Sequence, residues 1–253
     1  MNNKLIILTP AYKVGRWVEL YVSILKHQTY RNFEVYFIDD NSPDNTEVKF
    51  KQAVGGDSRF FYFKNERRIG SPLANIAKAF DLANPQDEDV IVNIDGDDWL
   101  SSVFVLEYIN TVYDKTGCWL TFGTCQTYPG GDIAGHAQIP LPPEISDTNS
   151  YKKYPFIASH LRTYKAGLFR RIDRQDFIDH RTDRTYTESS DLALMFPMLE
   201  MSGKDRIYRI EGITYILNRE NELNEATVNV AAQKETETVI RNTQKVYERI
   251  YHL

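Results

Sequence analysis

Asp95, Asp97 and Asp98 fall within four residues, DGDD, directly after the apolar run VIVNI. Three carboxylates this close repel one another unless protons or a cation intervene. Hard oxygen ligands of this kind suit Mg²⁺ or Mn²⁺, and such an ion, held by few protein groups, bridges phosphate oxygens. An arbitrary DxDD reads as a solvated acidic turn at the start of a helix; its place after a buried strand favours the ligand reading instead. It is not a calcium loop, because no bidentate Glu follows at the required spacing. A second acidic group, Asp39 and Asp40, precedes NSPDNT. A carboxylate at a strand end accepts hydrogen bonds from a base N–H or a ribose hydroxyl. Ser42, Asp44 and Thr46 equally suit a helix cap. Both readings stand together, with Asp40 for a ligand and the later residues for the cap.

These residues need a frame that brings them together. Leu5 to Thr9, Phe33 to Ile38, Arg59 to Phe63 and Asp89 to Ile94 read as strands. Between them, helical spacing covers Trp17 to Leu25, a segment through Val54, and a segment opened by Ser71-Pro72. Alternation of this kind predicts an α/β fold, a mostly parallel, Rossmann-like sheet flanked by helices. Ligands of such sheets bind beyond the carboxyl ends of the strands, which would gather Thr9, Asp39, Asp40, Asp95, Asp97 and Asp98 on one rim. The second half is less regular. Val103 to Tyr113, Arg162 to Ile172 and Ser189 to Met201 read as helices, the last kinked or ended by Pro197. Cys118 to Thr127 and Ile207 to Leu217 read as strands, and Tyr128 to Ser150 as a long loop. Val239, Ile240, Val246, Tyr247, Ile250 and Tyr251 form a stripe that predicts a C-terminal helix.

Composition narrows the function classes. The chain has 253 residues, 42% of them hydrophobic, enough for a real core in one large domain. Its net charge of -5 argues against a dedicated nucleic-acid binder. Cys118 and Cys125 cannot form a disulfide framework and lack metal-site spacing, which fits a reducing compartment. The first residues lack the apolar run of a signal peptide, and no stretch is long enough to span a bilayer; the expectation is a cytoplasmic protein. Lys152 and Lys153, set among Tyr151, Tyr154 and Phe156, suit a peripheral membrane surface or an anionic acceptor.

The order TPAY (9–12), DDNSPDNT (39–46), Asn65, Gly70 with Ala74-Asn75, and DGDDWL (95–100) closely resembles the family 2 glycosyltransferases of the GT-A fold. The resemblance is good over roughly the first hundred residues and thins afterwards. It implies a single domain: a nucleotide-sugar-binding half over 1–100, an acceptor-side half over 101–222 and a C-terminal helix over 223–253. It also implies inverting transfer from a nucleotide-diphospho-sugar, UDP being the commoner base, to an acceptor hydroxyl of a glycan or other molecule. By position, Thr9, Pro10, Ala11, Tyr12 and Asp40 would line the nucleobase pocket. Asp95 and Gly96 would lie near the ribose, and Asp97 would bind Mn²⁺ or Mg²⁺, with Asp95 and His160 as further metal candidates. Arg68 or its neighbour Arg67 would hold phosphate, unless the two are simply an exposed basic pair. The family's general base is an acid early in a helix of the second half. TESSDLALMFPMLE fits this pattern, with Asp191 as the candidate base and Glu188 as the alternative. SHLRTYKAGLF resembles a segment placed beside the donor, so Arg162 would meet the diphosphate. Trp99 suits either a sugar face or the core.

Two competing readings stay open on sequence grounds. One is a non-catalytic module of the same fold that binds a nucleotide or glycan. The other is a sugar-nucleotide pyrophosphorylase, which calls for a Gly-rich basic loop after the first strand; TPAYKVGR has one glycine there.

Overall fold

The computed structural model describes residues 2–133, 141–221 and 230–253. Its strands are β1 (Leu5–Ala11), β2 (Phe33–Asp39), β3 (Phe60–Lys64), β4 (Val90–Asn93), β5 (Trp99–Leu100), β6 (Leu120–Tyr128), β7 (Arg162–Lys165), β8 (Ile178–Asp179), β9 (Arg184–Thr185) and β10 (Ile207–Asn218). The main helices are α1 (Val18–Lys26), α2 (Thr46–Val54), α3 (Pro72–Ala83), α4 (Val105–Thr116), α5 (Pro143–Asp147), α6 (Ala166–Arg170), α7 (Ser190–Ser202) and α8 (Val230–Thr243). One sheet runs β3-β2-β1-β4-β7-β6-β10-β5, and β8 and β9 form a separate hairpin. Strands β3, β2, β1 and β4 are parallel, as the alternation predicts. Beyond β4 the sheet is mixed: β7 pairs antiparallel with both β4 and β6, while β10 runs parallel to β6.

The period of two along β1 divides the core. Leu5 and Ile7 join the cluster under α1 and α4, whereas Ile6 and Leu8 join the one under α3 and α7. Both faces are therefore covered, which is why β1 reads as an unbroken apolar run. Helix α3 starts as expected: Ser71 Oγ accepts from the Ala74 amide and Pro72 follows at the first helical position.

Expectations for the second half are revised at three points, each for a tertiary reason. Arg162 to Ile172 is not one helix but the four-residue strand β7 followed by the short α6. Its Thr163, Tyr164 and Lys165 fill the gap between β4 and β6, so ladder pairing overrides local spacing. Pro197 neither ends nor breaks α7, which runs through it to Ser202. The proline has no N–H for the Ala193 carbonyl, and Gln244 Nε2 supplies the missing donor at 2.8 Å. The predicted C-terminal helix covers only 230–243 among the described residues; 223–229 lie outside them. After Thr243 the backbone is bound elsewhere. The carbonyls of Gln244 and Lys245 accept from Lys152 Nζ, the Tyr247 amide donates to Glu200, and the Ile250 amide donates to the Met201 carbonyl. Of the predicted stripe, Ile240 and Tyr247 are buried while Val246 and Tyr251 are exposed.

The same contacts remove the expected membrane or acceptor role of Lys152. Its ammonium is buried against Glu200, 3.1 Å away, and never reaches the surface. The loop expected over 128–150 contains α5, and its residues 134–140 lie outside the described residues. Both cysteines are free and buried. Among the described residues, no helix is long and apolar enough to cross a membrane.

Candidate active site

The rim at the carboxyl ends of β1, β2 and β4 is built from the predicted segments, with a division of labour the sequence does not reveal. The DNSPDNT stretch anchors the loop after β1. Ser42 Oγ, Asp44 Oδ2 and Thr46 Oγ1 accept from the amides of Lys13, Gly15 and Val14. A Cβ at Gly15 would stand 2.1 Å from Asn45 Oδ1, so a larger residue there would displace that side chain. Asp39 caps its own turn through the Ser42 amide and accepts from the Tyr62 hydroxyl. Asp40 is buried, and its carboxylate accepts from Asn65 Nδ2 at 2.7 Å and from the Ile69 and Gly70 amides at 2.8 and 2.7 Å. It thus fixes the 65–70 loop, which carries Arg68 to within 3.9 Å of the Tyr12 ring. Thr9 is fully buried, with its hydroxyl 2.5 Å from Tyr21 Oη, so its side chain faces the core rather than the rim. Pro10 and Ala11 are buried in β1, and Tyr12 is half-buried at its end.

Close approach dictates Gly96: its amide donates to the Pro10 carbonyl, and a Cβ would meet the Ala11 Cβ at 2.6 Å. The DGDD turn therefore lies directly on the end of β1. Its three carboxylates have distinct surroundings. Asp98 is buried and accepts from Tyr215 Oη and the Asn218 amide, each at 2.7 Å, so it ties the turn to β10. Burial, then repulsion from Asp97 and Asp95, holds its carboxyl well above the usual range. Asp97 accepts from Asn221 Nδ2 at 2.7 Å, and burial raises its pKa too. Asp95 keeps 43% of its side chain exposed. Desolvation, then repulsion from Asp97 and Asp191, pushes it up to about 7 against the opposing pull of Arg162. Trp99 is half-buried and meets Tyr128 edge-on, with ring centres 5.3 Å apart.

Besides β10 and Asn221, the second half brings His160, Arg162 and Asp191 to this turn. His160 stacks on Tyr215 with ring centres 4.8 Å apart, and its Nε2 lies 3.9 Å from Asp95 Oδ2. Burial, then the neighbouring guanidinium, keeps this imidazole well below its usual pKa and hence neutral. Arg162 donates from Nε to the Ala158 carbonyl, from NH1 to His160 Nε2 at 3.0 Å and from NH2 to Asp191 Oδ2 at 2.7 Å. Asp191 sits in the first turn of α7, where the helix dipole favours a carboxylate. His160, Arg162 and Asp191 are thereby joined by hydrogen bonds, with Asp95 close to His160 although 96 positions separate Asp95 from Asp191. Glu188, in the loop before α7, accepts from Thr187 and lies outside this group. Tyr215, Asn218 and Asn221 are site residues that the sequence motifs do not mark. Two asparagines just past the apolar run of β10 are the same strand-end signal that exposed the aspartates.

Among the described residues, no three His, Cys, Asp or Glu side chains are grouped to hold a metal. Asp95 and Asp97 form a smaller set: two carboxylates whose raised proton affinity marks a deficit of positive charge. That pair fits a hard divalent cation that takes its other ligands from phosphate oxygens and water.

The family described as Glycosyl transferase family 2 matches residues 6–173 of this chain. The chain belongs to glycosyl transferase family 2. It is 21% identical to glycosyltransferase GlyA of Streptococcus pneumoniae over 188 residues, which are 68% of this chain and 26% of GlyA. The chain thus spans about a quarter of that curated relative's length. Among solved structures, S. aureus TarS 1–349 in complex with UDP-GlcNAc aligns at a TM-score of 0.68 and 15% identity. That alignment covers 94% of this chain and 65% of that one. Glucosyl-3-phosphoglycerate synthase from Mycobacterium tuberculosis, in complex with Mn²⁺, UDP-glucose and phosphoglyceric acid, aligns at 0.58 and 13%, covering 94% and 79%. The shared architecture is the GT-A glycosyltransferase fold.

Proposed function

We propose that this glycosyltransferase moves a sugar from a UDP-sugar to an acceptor hydroxyl with inversion, assisted by a divalent cation. The closeness of Asp95 to the hydrogen-bonded group of His160, Arg162 and Asp191 carries the reading. It unites the cation-seeking pair of the first half with a helix-borne carboxylate of the second, which neither a structural acidic turn nor a plain helix cap requires. The complexes of the similar proteins with UDP-GlcNAc and with Mn²⁺ and UDP-glucose support a uridine donor and a metal.

In this scheme Asp97, with Asp95 beside it, holds the cation, which supplies Lewis-acid neutralisation of the departing diphosphate. The Tyr12–Arg68 pair and the loop fixed by Asp40 border the nucleotide. Asp191 accepts the proton of the attacking hydroxyl, held in place by its bond to Arg162, while neutral His160 orients the other arm of the guanidinium. Replacement of Asp191 by Asn should preserve UDP-sugar binding in Mn²⁺, because the amide keeps the shape. Hydrolysis of the donor, in which water takes the acceptor's place, should fall by about 10²-fold or more. Loss of donor binding along with turnover would assign Asp191 to structure, and undiminished hydrolysis would remove it from the chemistry.

A further inference from the structure

A recess lies outside the group of His160, Arg162 and Asp191. It is a cleft of about 460 Å³ between the β8–β9 hairpin and α8. This volume is within the roughly 300–1,000 Å³ of small-ligand sites, although such sites are usually mostly apolar. This one is lined mostly by threonines and charged residues. Its floor is fixed by Arg181, which forks onto Asp179 at 2.6 and 2.9 Å and reaches Glu235 at 2.8 Å and Thr236 at 3.1 Å on α8. The hairpin and the helix are thereby locked to each other. Thr182, Thr185 and Thr187 line the same space.

The cleft also shares a stretch of chain with the proposed base. Its wall, 185–188, continues into Asp191, three residues beyond Glu188 and so within about 11 Å even if fully extended. That wall is held on both sides. The Tyr186 carbonyl accepts from Ser71 Oγ, the cap of α3, at 2.6 Å and from Ser190 Oγ at 3.4 Å.

We propose that this cleft is a subsite for the acceptor, taking the sugar units of a neutral oligosaccharide behind the one that is glycosylated. The inference rests on the transferase reading and adds the acceptor's class to it. Sugar hydroxyls both donate and accept, which matches a wall of threonines, carboxylates and guanidinium groups. Among the described residues the lining holds three carboxylates, Asp179, Glu188 and Glu235, against two guanidinium groups, Arg181 and Arg184. Asp179 and Glu235 already engage Arg181, so the cleft has no surplus of positive charge for a phosphate-bearing acceptor.

The test is saturation-transfer NMR on the full chain with UDP and Mn²⁺ present. Maltotriose, cellotriose, chitotriose and mannotriose serve as neutral probes, and glucose 6-phosphate and mannose 6-phosphate as anionic ones. At least one neutral trisaccharide should show transfer, and the sugar phosphates none. Ala232→Trp, which fills the cleft from α8, should abolish the signal, and Arg184→Ala, at an exposed position, should weaken it at least about threefold. Slow hydrolysis of UDP-sugar should be unchanged in both variants. Absence of any trisaccharide signal, its survival in Ala232→Trp and in Arg184→Ala, or binding of the phosphates alone would each overturn the subsite. Trisaccharide binding that Ala232→Trp removes, in a protein that hydrolyses no nucleotide sugar, would uphold the cleft and reject the transferase reading.

Discussion

Arg162 is the residue whose removal most sharply separates orientation from charge. Its side chain is 11% exposed and holds Asp191, whose own side chain is 31% exposed, at 2.7 Å. A charge-assisted hydrogen bond contributes about 1.5–3 kcal/mol, and the partial exposure of Asp191 favours the lower end, about 1.5 kcal/mol. If that bond fixes the proton acceptor during attack, Arg162→Ala should lower kcat about tenfold on the alkaline plateau. A second consequence concerns pH. The guanidinium charge draws Asp95 down towards its value of about 7, so its loss must raise Asp95 further and move the acid limb of activity to higher pH. Arg162→Lys restores the charge but not the fork that reaches His160 and Asp191 together. The lysine variant should therefore regain the wild-type acid limb while kcat stays low. The assay is UDP-sugar hydrolysis in Mn²⁺ across about pH 5.5–9, with thermal melts to verify folding. Wild-type kcat in Arg162→Ala, or full recovery of kcat in Arg162→Lys, would refute the positioning role.

Two further outcomes follow from groups whose burial is one-sided. Because Asp95 titrates near 7 in the fold and near 3.9 when unfolded, the folded state binds the extra proton between those values. Metal-free stability should thus be highest below about pH 4 as far as this group is concerned, and decline as pH rises through about 7. Asp95→Asn should flatten that slope in thermal melts, and Mn²⁺ should raise the wild-type melting temperature more at pH 8 than at pH 6; an unaltered slope in the variant would rule out Asp95 as its source. Glu200 is fully buried beside Lys152, so Lys152→Met leaves a carboxylate with only the Tyr247 amide as partner and should cost about 3–5 kcal/mol. The double replacement Lys152→Met with Glu200→Leu should recover most of that loss in urea unfolding, and a double variant as unstable as the single one would show that the pair itself stabilises the C-terminal segment.

The first half of the fold was legible because its strands and helices are decided locally. Apolar runs ended by Pro10, Asp39 and Asp95, together with the Ser71-Pro72 start, mark elements whose local patterns agree with the parallel sheet they join. The second half depends on contacts that no window of sequence contains. The Ala193 carbonyl freed by Pro197 finds Gln244, 51 residues on, and Lys152 finds Glu200, 48 residues on. Strand β7 is four residues long and stable only because β4 and β6 flank it. At the candidate site, spacing exposed the acids but not their ranks. Asp40 and Asp98 carry the loops, whereas Asp95 and Asp97 are the carboxylates proposed to hold a cation. The link from Arg162 to Asp191 became visible only once β7 and the first turn of α7 were set side by side.

Everything proposed for the chemistry depends on the Asp95–Asp97 rim binding a nucleotide diphosphate through a divalent cation. Calorimetric titration of UDP, with and without Mn²⁺, into the wild-type chain and Asp97→Ala tests that binding most directly. Mn²⁺ should tighten UDP binding at least about tenfold, about 1.4 kcal/mol, in the wild type and leave Asp97→Ala unaffected. UDP affinity that is the same with and without Mn²⁺, or an enhancement that survives Asp97→Ala, would contradict a metal-bridged nucleotide at this rim.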